Sequence, residues 1–173
     1  MSIWPRNWPD TSRKLSRFMK TRSELTDLRP QGRGDTENAG KILSLGFPAV
    51  EPVLPSLFQW LETNGSPVEL IMRPFFAHIG EPAFELVRRA LRVQTKPALK
   101  CCLLRYVLPA WPPALVSRLE PELTAMVHNV DFHGLDVWAL KLLIDKQIGD
   151  QSQWERWRAF KVSRLREHLS AFE

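Results

Sequence analysis

Apolar residues along this chain recur at helical spacing and are punctuated by proline. Val50, Val53, Leu54, Leu57, Phe58 and Leu61 stand at i, i+3, i+4, i+7, i+8 and i+11, one continuous helical stripe. Upstream, Asp35-Thr36 can cap a helix through Ala39, Ile42, Leu43 and Leu45, and Gly46 stops it. Ser66-Pro67-Val68-Glu69 is a capping box with proline at the first helical position. Val68, Ile71, Met72, Phe75 and Ile79 form the buried face that follows, ended by Gly80. Glu81-Pro82 opens the next helix, with Ala83, Val87, Ala90 and Leu91 inward. Pro97 opens a more apolar one (Leu99, Cys102, Leu103, Tyr106, Val107), the composition of a helix buried on most sides. Pro113 to about Val127 and Leu135 to Ile148 continue the pattern. Asp150 and Ser152 can cap a last helix through Trp154, Trp157, Leu165, Leu169 and Phe172. No alternating run of strand type occurs.

The prolines keep a rhythm. Pro48, Pro67, Pro82, Pro97 and Pro113 each precede an apolar or small residue, at spacings of 19, 15, 15 and 16. Each interval holds one helix of three to four turns and a short connection. Two intervals make a pair of roughly 30–34 residues, near the lower edge of HEAT-type repeat periods. The expected fold is all-α: a right-handed stack of antiparallel helical pairs, a HEAT-like α-solenoid of about 7–8 helices. Residues 1–33 are expected to form a basic arm with a short amphipathic helix, 34–150 the repeat body, and 151–173 a capping helix. In the arm, Leu15, Phe18 and Met19 oppose Arg13, Lys14, Arg17 and Lys20. The 173 residues fit one domain, and 44% apolar with 25% charged residues excludes disorder, collagen and a disulfide scaffold.

Charge changes the picture. The net +5 lies in residues 1–33, with eight bases and three acids; the remaining 140 residues balance 16 against 16. That neutral body is banded: Asp35–Glu85 is −5, Leu86–Arg118 is +7, Leu119–Asp150 is −4 and the last 23 residues are +2. Such bands either neutralise one another across neighbouring helices or present surfaces of opposite sign.

Candidate chemistry is sparse. No P-loop, G-x-G-x-x-G, H-E-x-x-H or G-x-S-x-G occurs. His128, Asp131, His133 and Asp136 cluster within nine residues and could ligate zinc, but the segment falls between two expected helices and reads as a loop. Cys101 and Cys102 are adjacent with apolar flanks, the pattern of reduced core thiols rather than nucleophiles. No enzyme, metal or cofactor is expected. The first thirty residues hold no secretory apolar core, and no segment reaches the ~18 apolar residues of a membrane helix, so the expected compartment is the cytoplasm.

The run from Asp35-Thr36 through Leu45-Gly46, Pro48-Ala49-Val50, Pro52, Leu54-Pro55, Trp60-Leu61, Pro67-Val68 and Ile79-Gly80, with Leu108-Pro109 to Pro112-Pro113, resembles the small bacterial DUF5071 proteins, which are HEAT-like. The resemblance spans roughly Leu28 to Leu143; one departure is Gly65-Ser66, where the family carries Asn-Trp. It implies a helical-repeat scaffold without catalytic residues, similar to partner-binding and immunity proteins that block a toxin. The expected function is therefore a non-enzymatic protein-binding module, an immunity or inhibitor protein occluding a toxin that acts in the cytoplasm. Arg88, Arg89, Arg92, Lys96 and Lys100 of the basic band, Glu62 and Glu69 of the acidic one, and Trp4 and Trp8 of the arm are the expected contact residues. The alternative is a nucleic-acid-binding HEAT-like protein using the arm and the 88–118 band.

Overall fold

The structure, a computed structural model, describes residues 22–129 and 133–170, and Trp4 and Trp8 lie outside them. Among the described residues every regular element is helical and none is a strand. The described residues hold ten α-helices rather than about 7–8, joined by 3-10 turns and one π turn. They are α1 (Arg22–Asp27), α2 (Thr36–Ser44), α3 (Leu54–Phe58), α4 (Pro67–Ile79) and α5 (Phe84–Arg92), then α6 (Pro97–Cys102), α7 (Pro113–Ser117), α8 (Glu120–His128), α9 (Leu135–Asp145) and α10 (Gln151–Ser170).

The excess has two sources: α1 lies in the segment expected as arm and buries Leu25, and proline divides the stretch after Pro113. A proline lacks an N–H and clashes with the preceding turn, so a continuous apolar stripe is folded in pieces. Val50 to Leu61 is one stripe, and all six of its apolar residues are buried, yet it is built as a 3-10 turn (Glu51–Val53), α3 and a second 3-10 turn (Gln59–Glu62). The stretch after Pro113 breaks at Leu119, just before Pro121, into α7 and α8. The caps are where local chemistry puts them. Asp35 accepts from the Asn38 amide at 3.2 Å and Ser66 Oγ from the Glu69 amide at 3.1 Å. Gly46 and Gly80 close α2 and α4 at φ 69° and 60°, a backbone that a side chain resists. Pro48 opens no helix: it sits in the turn between α2 and the Glu51–Val53 turn.

Helices adjacent in sequence pack as pairs: α3 with α4, α5 with α6, α8 with α9. In addition α4 lies between α2 and the π turn (Leu103–Val107), which in turn reaches α9, while α5 packs on α8. α10 covers α9, with Trp154 buried at its start. Polar side chains tie these elements together, several of them across 34 to 37 residues, while Arg92–Glu122 spans 30 and Asp136–Lys161 spans 25. Glu62–Lys96 and Glu122–Arg88 are 34 residues apart. Phe76–Trp111 and Trp111–Lys146 are 35 apart, and Glu81–Arg118 is 37. Trp111 is 1% exposed, and its indole N–H donates to the Phe76 carbonyl at 3.0 Å, satisfying a group in the last turn of α4. Lys146 Nζ donates to the carbonyls of Pro109 and Trp111, each at 2.8 Å, in the same role one interval later.

Candidate partner-binding surface

Most of the expected contact residues are occupied inside the protein. Arg92 Nη2 lies 2.7 Å from Glu122 Oε1, and Arg88 bridges Glu122 and Glu85. Lys96 Nζ pairs with Glu62 at 2.7 Å, and Arg118 grips Glu81 while lying 4.0 Å above the Phe84 ring. The charge bands thus neutralise one another across neighbouring helices, because α5 packs on α8 and Lys96 precedes α6 beside the Gln59–Glu62 turn. Arg89 is exposed, and no ion pair engages it among the described residues. Lys100 is buried, at 9% exposure. Glu69 is corrected outright: at 1% exposure it cannot touch a partner. Of the histidine-aspartate cluster, Asp136 is buried against Lys161, His128 meets the Trp157 ring edge-on at 5.0 Å, and Asp131 lies outside the described residues.

Glu69 does something else. Its Oε1 accepts from Arg73 Nε at 2.9 Å and Nη2 at 2.8 Å, and its Oε2 accepts from the Gly65 amide. A buried carboxylate with both oxygens engaged locks the arginine four residues on. Burial alone would lower the Arg73 guanidinium; the hydrogen bonds and charge of Glu69 outweigh it, and the net shift is upward. The other face of Arg73 lies 4.0 Å from the centre of the Tyr106 ring. Arg105 stands 5.2 Å from the same ring and 4.9 Å from the Trp138 ring. Arg73, Tyr106, Arg105 and Trp138 therefore form a ladder of alternating cations and aromatic faces across α4, the π turn and α9.

Sequence periodicity placed Tyr106 in the core, and the π turn overturns that. Leu103 and Leu104 are buried, Arg105 and Tyr106 exposed, Val107 and Leu108 buried again. The π turn adds a residue to the register set by Leu99, Cys102 and Leu103, so Leu104 and Leu108 turn inward and Tyr106 turns outward. Leu70, three residues before Arg73 on α4, and Val137 on α9 are exposed at 52% and 45%. The result is a surface rich in arginine and aromatic side chains with an apolar border, the composition of interface hot spots. Within it, Glu69 fixes Arg73 through two hydrogen bonds.

No protein-family model, no curated protein and no solved structure matches this chain. No helix among the described residues is long and apolar enough to cross a membrane.

Proposed function

We propose that this chain is a non-enzymatic protein-binding module, a HEAT-like stack of helical pairs of the DUF5071 kind, that acts as an immunity or inhibitor protein by covering the active cleft of a toxin. The observation that carries this is the Arg73–Tyr106–Arg105–Trp138 ladder. Arg73 is held by Glu69 beneath the Tyr106 ring, so at that rung binding loses little rotamer freedom. Side-chain bonds recurring at 34 to 37 residues support the stacked-pair architecture.

The test is affinity purification of the tagged chain from its own organism, beside Arg105→Glu and Tyr106→Ala variants. Wild type is expected to retain one stoichiometric protein, whose toxicity it neutralises. Each ladder variant is expected to lose roughly 30-fold or more in affinity, the effect of truncating a hot-spot residue. Arg88→Glu with Arg92→Glu should bind normally. An eluate without a stoichiometric protein, or ladder variants that bind like wild type, overturns the proposal. The nucleic-acid alternative is weakened by the pairing of Arg88, Arg92, Lys96 and Arg118 with acids. A low-salt gel shift that Arg88→Glu abolishes would restore it.

A further inference from the structure

Most arginines between α2 and α9 are paired with acids inside the protein. Arg73 is held by Glu69, Arg88 and Arg92 by Glu122, and Arg118 by Glu81. Arg89 and Arg105 are exposed, and neither makes a side-chain hydrogen bond or ion pair among the described residues. Only Arg105 has aromatic neighbours, the Tyr106 ring at 5.2 Å and the Trp138 ring at 4.9 Å. Lys141, one turn after Trp138 on α9, is paired with Asp145 at 2.6 Å. Of the ladder's two cations, then, Arg73 is neutralised within the chain and Arg105 is not.

Arg105 owes its setting to the π turn, which carries both it and Tyr106 and leaves both exposed. Single π turns of this kind concentrate at functional sites. An aromatic ring attracts a guanidinium electrostatically without consuming its five N–H donors, which stay available as a planar fork. A partner that covers Tyr106 and Trp138 also covers the cation beside them and strips its water. No acid of the described chain pairs with that cation. A charge buried without a counter-charge is strongly unfavourable, so whatever covers the ladder has to bring the anion with it.

We infer that the partner protein contributes a single carboxylate to Arg105, set among apolar residues that close over Tyr106 and Trp138. This rests on the ladder being the binding surface. The guanidinium fork takes both carboxylate oxygens side by side, which fixes the direction of approach as well as the sign. The count of free cations selects a protein side chain over a nucleic-acid backbone. A phosphate chain gains affinity by engaging several cations in succession, and here Arg73 is tied to Glu69 and Lys141 to Asp145. Leu70 and Val137, exposed on the two helices that pack on the π turn, match apolar neighbours of that one acid. A partner with an amide or an apolar residue at the same place strands the charge and is rejected, so Arg105 sets specificity.

The test is selection of phage-displayed random peptides on the full chain, followed by fluorescence anisotropy of the enriched sequences. They are expected to share one Asp or Glu flanked by apolar residues. Changing that acid to its amide should weaken binding to wild type about tenfold or more, the scale of a hydrogen bond between charged groups. The same change should leave binding to Arg105→Gln unaltered. Arg105→Lys, which keeps the charge and loses the fork, should recover only part of the affinity. Because Arg105 is exposed, circular dichroism of its variants should match wild type. Peptides that bind and are lost in Tyr106→Ala, yet carry no acid, would overturn this inference and leave the ladder as a binding surface. A selection without any peptide sensitive to Tyr106→Ala would overturn both. Binding of oligothymidylate that Arg105→Glu abolishes, or a dimer by sedimentation equilibrium that the same change dissolves, would overturn the carboxylate assignment as well.

Discussion

Glu69 and Glu122 are both buried carboxylates on helices of the body, and both face arginine, yet their surroundings differ in kind. Glu69 has both oxygens engaged, by Arg73 and by the Gly65 amide, and its arginine side chain is only 17% exposed. Glu122 offers Oε1 to Arg88 and Arg92, side chains that are 37% and 58% exposed, while its Oε2 is buried with no partner among the described residues. The first is a closed pair on which a functional surface is built. The second is a clamp between α5 and α8 whose arginines can return to water if it is released. Burial of a charge therefore does not by itself state its worth; the accessibility of its partner decides what its removal leaves behind.

The largest expected effect follows from that difference. Glu69→Ala strands Arg73 and the Gly65 amide, and should lower the free energy of unfolding by about 3 kcal/mol, the cost of breaking a buried pair. Glu122→Met removes an acid with an unsatisfied oxygen and releases two solvated arginines, so it should stay within about 1 kcal/mol of wild type. Urea denaturation of the two variants measures both. Equal losses would erase the distinction between the two sites.

Local signals made much of this fold legible. The caps at Asp35 and Ser66 and the Val50–Leu61 stripe depend on residues a few positions apart, and the structure keeps them. Glu69 belongs to an acidic band, but its capping-box position and its i, i+4 spacing to Arg73 are the local signals of its internal role. Tyr106 was unreadable in another way, since nothing in Leu103-Leu104-Arg105-Tyr106 announces a π turn to a 3.6-residue count. The Arg92–Glu122 contact spans 30 residues and exists only because α5 meets α8. Leu165 and Leu169 do share the face of Trp154, but periodicity cannot say where the supporting body ends. The ladder was missed for all these reasons together, because its four members come from three elements.

Cys102 sharpens the comparison from the thiol side. Burial pushes this thiol from 9.0 up to about 12, and the hydrogen bond and charge of Glu69 add to the rise. In the unfolded chain the thiol ionises at its ordinary value, so the unfolded state sheds the proton first as pH rises. The stabilisation it gives is complete below about 9 and fades as pH climbs toward about 12. Wild type should therefore lose melting temperature between pH 9 and 11 more steeply than Cys102→Ala. Glu69→Gln should flatten part of the same slope, whereas Glu122→Gln should leave it unchanged. A Cys102→Ala profile parallel to wild type would show that this thiol is not held by the pair.

The smallest effect is the most discriminating, because it reads coupling rather than loss. Double-mutant cycles remove each acid, each arginine and both, so that the difference isolates the pair. For Arg92–Glu122 the coupling should be about 1 kcal/mol or less at low salt, as expected where one partner is mostly in water. In 1 M NaCl, where charges are screened beyond ~3 Å, it should fall toward zero. Arg73–Glu69 should couple by about 2 kcal/mol and change by no more than a few tenths, since water and ions do not reach the carboxylate. Salt that weakened both equally would mean that Arg73 is free to leave Glu69. The Tyr106 face would then not be preorganised, and the ladder would lose the feature that makes it a binding surface.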